Sequence, residues 1–196
     1  LRPGQTAGFI TDLATYDEDI AAALTAMGHP IPGDGARDQA PKTRRLVLFG
    51  HSTGGLTLSL WASRHPGAAD AVILNSPWLE FQLARFTREA IMPLVGLQAR
   101  RRPLDRAPQI DLGFYARAQL EVADPDDPVD IDLSWRPAQT MPVYAGWLKA
   151  ILDGHGRVAD GADIDVPVCV LLSARSAIPT AWSEELTSAD SVLVVD

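Results

Sequence analysis

The stretch Arg44-Arg45-Leu46-Val47-Leu48-Phe49-Gly50-His51-Ser52-Thr53-Gly54-Gly55-Leu56-Thr57-Leu58-Ser59-Leu60-Trp61-Ala62 decides the fold. Its first half, residues 44–50, is a short apolar run of the kind that forms a buried strand. Its second half, residues 53–65, reads as a helix and stops at His65-Pro66-Gly67, because proline cannot continue it. A serine flanked by glycines lies between the two. The turn leaves no space for side chains at positions 50 and 54, which accounts for glycine at both. Ser52 is then expected at the carboxyl end of the strand, facing the unpaired N–H groups of the next helix.

Outward from this unit, Ala71-Val72-Ile73-Leu74-Asn75-Ser76 reads as a second strand, completing a βαβ arrangement with a parallel sheet. Upstream, Tyr16, Ile20, Leu24 and Met27 recur at helical spacing, and Thr15 with Glu18 has the spacing of a capping box. This spacing predicts a helix over residues 15–27, with Asp17, Glu18 and Asp19 in its first turn where the dipole favours them. Residues 1–11 and 28–43 are loops by their glycine and proline content. Downstream, the strand pattern disappears between Trp78 and about residue 163. A helix is predicted over residues 81–100, kinked or split at Pro93, and another over 142–158. Residues 166–173 then return as a strand containing Cys169, read as a small core hydrophobe.

In a strand-to-helix setting, Gly-x-Ser-x-Gly marks the nucleophile elbow of a serine hydrolase. On Gly50-His51-Ser52-Thr53-Gly54-Gly55 the chain resembles the α/β-hydrolases. Among them it is similar to the serine-aminopeptidase-like and monoacylglycerol-lipase-like group. Residues 71–78 look like that group's next core strand with its exit loop, and residues 166–173 like the strand before its catalytic acid. The resemblance implies an α/β class fold: a partial α/β-hydrolase, with a mostly parallel sheet, flanking helices and a helical cap insertion. Residues 1–77 and 164–196 would form the incomplete core and residues 78–163 the cap or lid.

The same resemblance assigns roles. Ser52 is the nucleophile, and the backbone N–H of Thr53 donates to the oxyanion. Asp190, in the stretch Asp190-Ser191-Val192-Leu193, is the candidate acid, with Asp196, Glu184 and Glu185 as weaker alternatives. The ordinary reading of Asp190 is a helix cap or surface carboxylate. His51, Trp78, Phe81 and Trp147 are candidate substrate-binding residues. Phe86, Phe114, Tyr115 and Trp135 extend the apolar set, for which simple cap-to-core packing is the competing account. Among the histidines, His29 and His65 read as surface residues and His51 points away from Ser52. His155 is the in-chain alternative base, in a Ser–His–Asp order unlike the familiar arrangements.

Two departures accompany the match. No histidine follows His155, whereas the group's catalytic histidine comes after its acid, and no His-Gly type loop precedes residue 50. With Leu rather than Met at position 1, the expectation is an internal fragment of a longer protein. A pseudoenzyme or a domain completed by another chain is the alternative. The expected function is hydrolysis of carboxylic esters, lipid esters included, through an acyl-serine intermediate, with this chain alone inactive. A serine aminopeptidase-like peptide or amide hydrolase, or a non-catalytic binding domain of the same fold, stays open.

Composition bounds the remainder. The chain has 196 residues, 46% hydrophobic and 21% charged, enough for one domain with a sizeable core. Lys and Arg total 17 against 25 Asp and Glu, a net charge of −8, so nucleic acid is not an expected partner. Arg100-Arg101-Arg102 with Arg106 follows an apolar helical run and suits a helix C-terminus. Residues 124–132 hold five aspartates and two prolines but lack the glycine and terminal glutamate of an EF-hand loop. They read as a solvated acidic loop, and neither metal nor organic cofactor is expected. The longest apolar run, residues 166–172, is too short to span a bilayer. No signal peptide is visible, and the expected location is cytoplasmic. The expected partner is a small ester or peptide substrate, with self-association through an open sheet edge at residues 44–50.

Overall fold

Strand β1 (Val47–Ser52) runs into helix α2 (Thr53–Arg64), and the chain returns along β2 (Ala71–Pro77) parallel to β1. A third parallel strand, β3 (Val168–Leu171), borders β2, giving the order β1-β2-β3. These elements belong to a computed structural model that describes residues 4–29, 45–81, 85–108, 113–126, 141–174 and 180–187. Helix α1 (Tyr16–Ala26) precedes the sheet, while α3 (Arg85–Arg101), α4 (Phe114–Glu121) and α5 (Ala145–Ala159) lie between β2 and β3 in sequence. Among the described residues no helix is long and apolar enough to cross a membrane.

The start of the βαβ unit is pinned at both strands. Leu46 N–H donates to the Asp70 carboxylate at 2.8 Å, and Asp70 N–H donates back to the Leu46 carbonyl at 2.7 Å. Alternation then sorts the strand side chains. Leu48, Val72 and Leu74 point at α1 and α2, where they pack with Leu24, Trp61 and Ala62. Trp61 is only 2% exposed, so truncating it to alanine would cost about 3–5 kcal/mol. The other side of α2 presents Leu56 and Leu60 to Leu13 and to Ala150 and Ile151 of α5. Helix α2 is therefore wrapped on both sides, which fixes where its N-terminus, and with it Ser52, can sit.

The opposite sheet face is different. Phe49, Ile73 and Cys169 lie side by side in register, and Phe49 is 62% exposed. Cys169 is exposed, not the core residue its apolar neighbours suggest. The reason is topological: β3 borders only β2 among the described strands, and all four of its residues are exposed.

One helix start and one helix interior differ from expectation. Thr15 makes no side-chain cap bond and is itself in helical conformation. The chain enters α1 through a 3₁₀ turn, Leu13–Thr15, capped by Asp12, whose carboxylate accepts from Ala14 N–H at 3.0 Å. A carboxylate one turn earlier takes the capping role. Pro93 lies inside α3 without splitting it. That helix ends on Arg100 and Arg101, where basic residues meet the dipole favourably.

Contacts divide the chain into two compact units. One comprises residues 1–105 and 144–172, the other residues 106–143 and 173–196. Helices α3 and α5, within the stretch assigned from sequence to the cap, pack in the unit that contains the sheet. In the second unit α4 meets the 3₁₀ turn Glu184–Thr187. There Phe114 and the guanidinium of Arg117, 3.9 Å from the ring centre, flank Trp182. Phe114 thus serves packing inside that unit. Asp124 accepts from Asp126 N–H in a local turn, and the rest of the acidic stretch lies outside the described residues.

Asp17 does more than complement a dipole, and His65 is not a bare surface residue. Arg64 grips Asp17 with Nη2 and Nε at 2.6 and 3.2 Å, and His65 Nε2 lies 3.0 Å from the same carboxylate. His65 also stacks on Trp61 at 4.8 Å. Burial pushes the Asp17 pKa up, but the hydrogen bonds and charges of Arg64 and His65 outweigh it and hold it below the usual value. A lowered folded pKa stabilises above the unfolded pKa and is lost as pH falls through the folded one. Asp17→Asn should therefore lower stability by about 1 kcal/mol at pH 7, the bridge being partly exposed. The gap between the thermal melts of the two proteins should narrow as pH falls through the lowered pKa of Asp17 and close below it. An unchanged gap at low pH would refute the linkage.

Candidate active site

The serine at the end of β1 has φ 52° and ψ −123°. That region is populated almost only by glycine, and holding another residue there costs roughly 1–3 kcal/mol. The surroundings enforce it. A Cβ on Gly50 would lie 2.8 Å from Gly55 Cα, and one on Gly55 would lie 2.6 Å from Pro77 Cβ. Strand β1, the first turn of α2 and the end of β2 thus touch backbone to backbone. A Cβ on Gly54 would meet nothing within 4 Å, so the expectation of crowding there is corrected. The motif's second tight position is Gly55, set by Pro77 from the neighbouring strand, which a pattern confined to one segment does not show.

Strand β2 has its own irregularity at this level. Pairing runs His51 with Asn75 and then Ser52 with Pro77, leaving Ser76 as an extra residue with φ 43°. Such a bulge bends the strand and re-aims the residues after it. It brings Trp78 N–H onto the Ser52 carbonyl at 3.0 Å. The Nδ1–H of His51 donates to the Asn75 carbonyl at 2.9 Å, turning that ring toward β2. In the sequence only the cluster Asn75-Ser76-Pro77 hints at this departure from regular strand.

Thr53 is the first residue of α2, so its N–H has no acceptor within the helix and is available to an anion beside Ser52. The buried hydroxyls of the next turns are satisfied internally. Thr57 donates to the Thr53 carbonyl at 3.0 Å and Ser59 to the Gly55 carbonyl at 2.8 Å. Next to the turn, Trp78 gathers an aromatic group. Phe81 lies 5.6 Å from it, Trp147 6.2 Å and His155 5.2 Å, centre to centre. Three of the four candidate substrate-binding residues therefore share one cluster, and His51 stands beside Ser52 on the strand.

Among the described residues no histidine is hydrogen-bonded to Ser52. His51 is engaged with Asn75 and His65 with Asp17 at the far end of α2. His155, 4% exposed on α5, donates from Nε2 to the Trp78 carbonyl at 2.9 Å. Asp190 and Asp196 lie outside the described residues, as do Trp135 and the side chain of Tyr115. Glu184 and Glu185 are exposed in the second unit.

A parallel sheet with helices packed on it, and a serine strained at a glycine-walled strand-to-helix turn, define an α/β-hydrolase. Residues 3–178 match the family described as serine aminopeptidase, S33, and the chain belongs to that family. The fold also matches the crystal structure of Paleococcus ferrophilus monoacylglycerol lipase, with a TM-score of 0.55 and 19% identity. That match covers 85% of this chain and 56% of the lipase, so the chain spans little more than half of that protein's length. At this identity the likeness concerns the fold. No curated protein sequence matches the chain significantly.

Proposed function

We propose that the protein is a serine hydrolase that cleaves carboxylic esters, lipid esters included, through an acyl-serine intermediate. The observation that carries this reading is the strained backbone of Ser52 at the N-terminus of α2. Ser52 Oγ attacks the carbonyl carbon while a base takes its proton. The oxyanion of the tetrahedral intermediate accepts from Thr53 N–H. Collapse expels the alcohol, which recovers the proton from the base, and water then releases the acid by the same steps in reverse. Asp190 is the proposed orienting acid. The aromatic group of Trp78, Phe81 and Trp147 favours an acyl chain over a charged peptide terminus. For the family's other chemistry, amide hydrolysis, the same nucleophile would serve.

The ring hydrogen bonds of His51, His65 and His155 lead to Asn75, Asp17 and Trp78 and not to Ser52 Oγ. Loss of the base alone removes orders of magnitude of rate in triad enzymes. Residues 1–196 by themselves are therefore expected to turn over a p-nitrophenyl ester at or near background. In the full-length protein a fluorophosphonate probe should label one residue, and peptide mass spectrometry should place the adduct on Ser52. An adduct on another serine, or ester turnover by residues 1–196 that disappears in His155→Ala, would overturn the assignment of nucleophile or base.

A further inference from the structure

A line of two hydrogen bonds joins helix α5 to the nucleophile through a single residue. Trp78 N–H donates to the Ser52 carbonyl at 3.0 Å, and the Trp78 carbonyl accepts from His155 Nε2 at 2.9 Å. We propose that His155 is a positioning residue for Ser52, acting through Trp78 to hold the nucleophile in its strained conformation. The inference rests on the reading of Ser52 as nucleophile and assigns His155 a role other than that of base.

A serine at φ 52° relaxes unless its neighbours prevent it, and the Ser52 carbonyl is the group that would swing. Two restraints act on it. Pro77 against Gly55 is a steric stop, which blocks approach but supplies no attraction. The Trp78 N–H is the attractive restraint, and it is only as firm as the residue that bears it. Trp78 follows a bulge at Ser76, and its N–H forms the last rung of the β1–β2 pairing, so no further rung of that ladder steadies the rest of the residue.

His155 supplies that hold. A carbonyl oxygen only accepts, so Nε2 must carry the proton, and an imidazole fixed as the Nε2–H form toward Trp78 cannot accept a proton from Ser52 there. The ring is buried, packs edge-on against the Trp78 indole, and belongs to a helix wedged against α2 through Ala150 and Ile151. Position 155 is thus anchored to the same helix that Ser52 begins.

The test compares His155→Gln with His155→Leu in the full-length protein. The terminal amide nitrogen of glutamine reaches the place of Nε2 and keeps a donor, whereas leucine fills the space without one. Two readouts are taken at a temperature where melts show both variants folded. The first is hydrogen exchange at the Trp78 amide, which does not depend on activity. The second is the rate of fluorophosphonate labelling at Ser52. Leucine should accelerate exchange and slow labelling, each by about ten-fold or more, as small misplacements of a reacting group do. Glutamine should return both to within about three-fold of wild type, because its donor is restored.

Unchanged exchange in His155→Leu, or equal defects in the two variants, would overturn the proposal. So would faster exchange with unaltered labelling, since the link would then exist without positioning the nucleophile. A wild-type protein that labels elsewhere than Ser52 would instead overturn the nucleophile reading. The exchange pattern at Trp78 would separate that failure from the first.

Discussion

Replacing Ser52 by glycine should abolish fluorophosphonate labelling and at the same time raise the melting temperature. The two effects share one cause. Ser52 occupies φ 52° and ψ −123°, a conformation glycine adopts without steric cost. Relief of about 1–3 kcal/mol of strain is set against the roughly 0.5–1 kcal/mol that glycine adds to the entropy of the unfolded chain. The net gain of about 1 kcal/mol corresponds to a rise of roughly 2–4 °C for a protein of this size. Ser52→Ala separates the effects, because alanine keeps the Cβ and its strain while losing the hydroxyl. It should label no better than glycine and melt with the wild type. Removal of a serine nucleophile costs about 10⁶ in rate in a comparable enzyme class. Labelling of the alanine variant near the wild-type rate would end the nucleophile assignment. A glycine variant less stable than alanine would show that Ser52 is not strained.

The parts of this fold that were legible in the sequence are those whose signal is local. The apolar run, the glycine-flanked serine and the amphipathic stretch after it are contiguous, and the structure places β1, the turn and α2 in that order. The second and third strands are likewise where their apolar runs fall. What the sequence hid depends on neighbours far along the chain. Gly55 rather than Gly54 is crowded because Pro77 approaches it from β2. Cys169 is exposed because its strand has one neighbour among the described strands, a property of strand order and not of composition. Asp17 is held by Arg64 and His65 from the other end of α2, although its first-turn position already gave it an adequate reason to be there. The bulge at Ser76 has no periodic signature, since one extra residue in a short strand leaves the hydrophobic pattern intact. Asp190, the acid inferred from resemblance, lies outside the described residues.

Residues 1–196 expressed alone should self-associate, through the free side of β1 and the sheet face beside it. Strand β1 pairs with β2 along one side, and among the described strands none borders the other, which leaves N–H and C=O groups open to another chain. Parallel sheets are ordinarily covered on both faces, yet here Val47 is 49% and Phe49 62% exposed on the face away from α2. Open backbone groups next to exposed apolar side chains are the combination that templates strand addition, because one supplies register and the other supplies burial. Size-exclusion chromatography with light scattering over a range of concentrations should therefore show species larger than a monomer. A Val47→Lys/Phe49→Lys double variant should move the distribution toward monomer, since lysines on an open strand oppose edge pairing. Both substitutions lie on the face away from the Leu48, Val72 and Leu74 core, so the helices packed there are left in place. A monodisperse wild-type monomer with a single cooperative melt would show that the chain covers this edge itself, and would refute association through it.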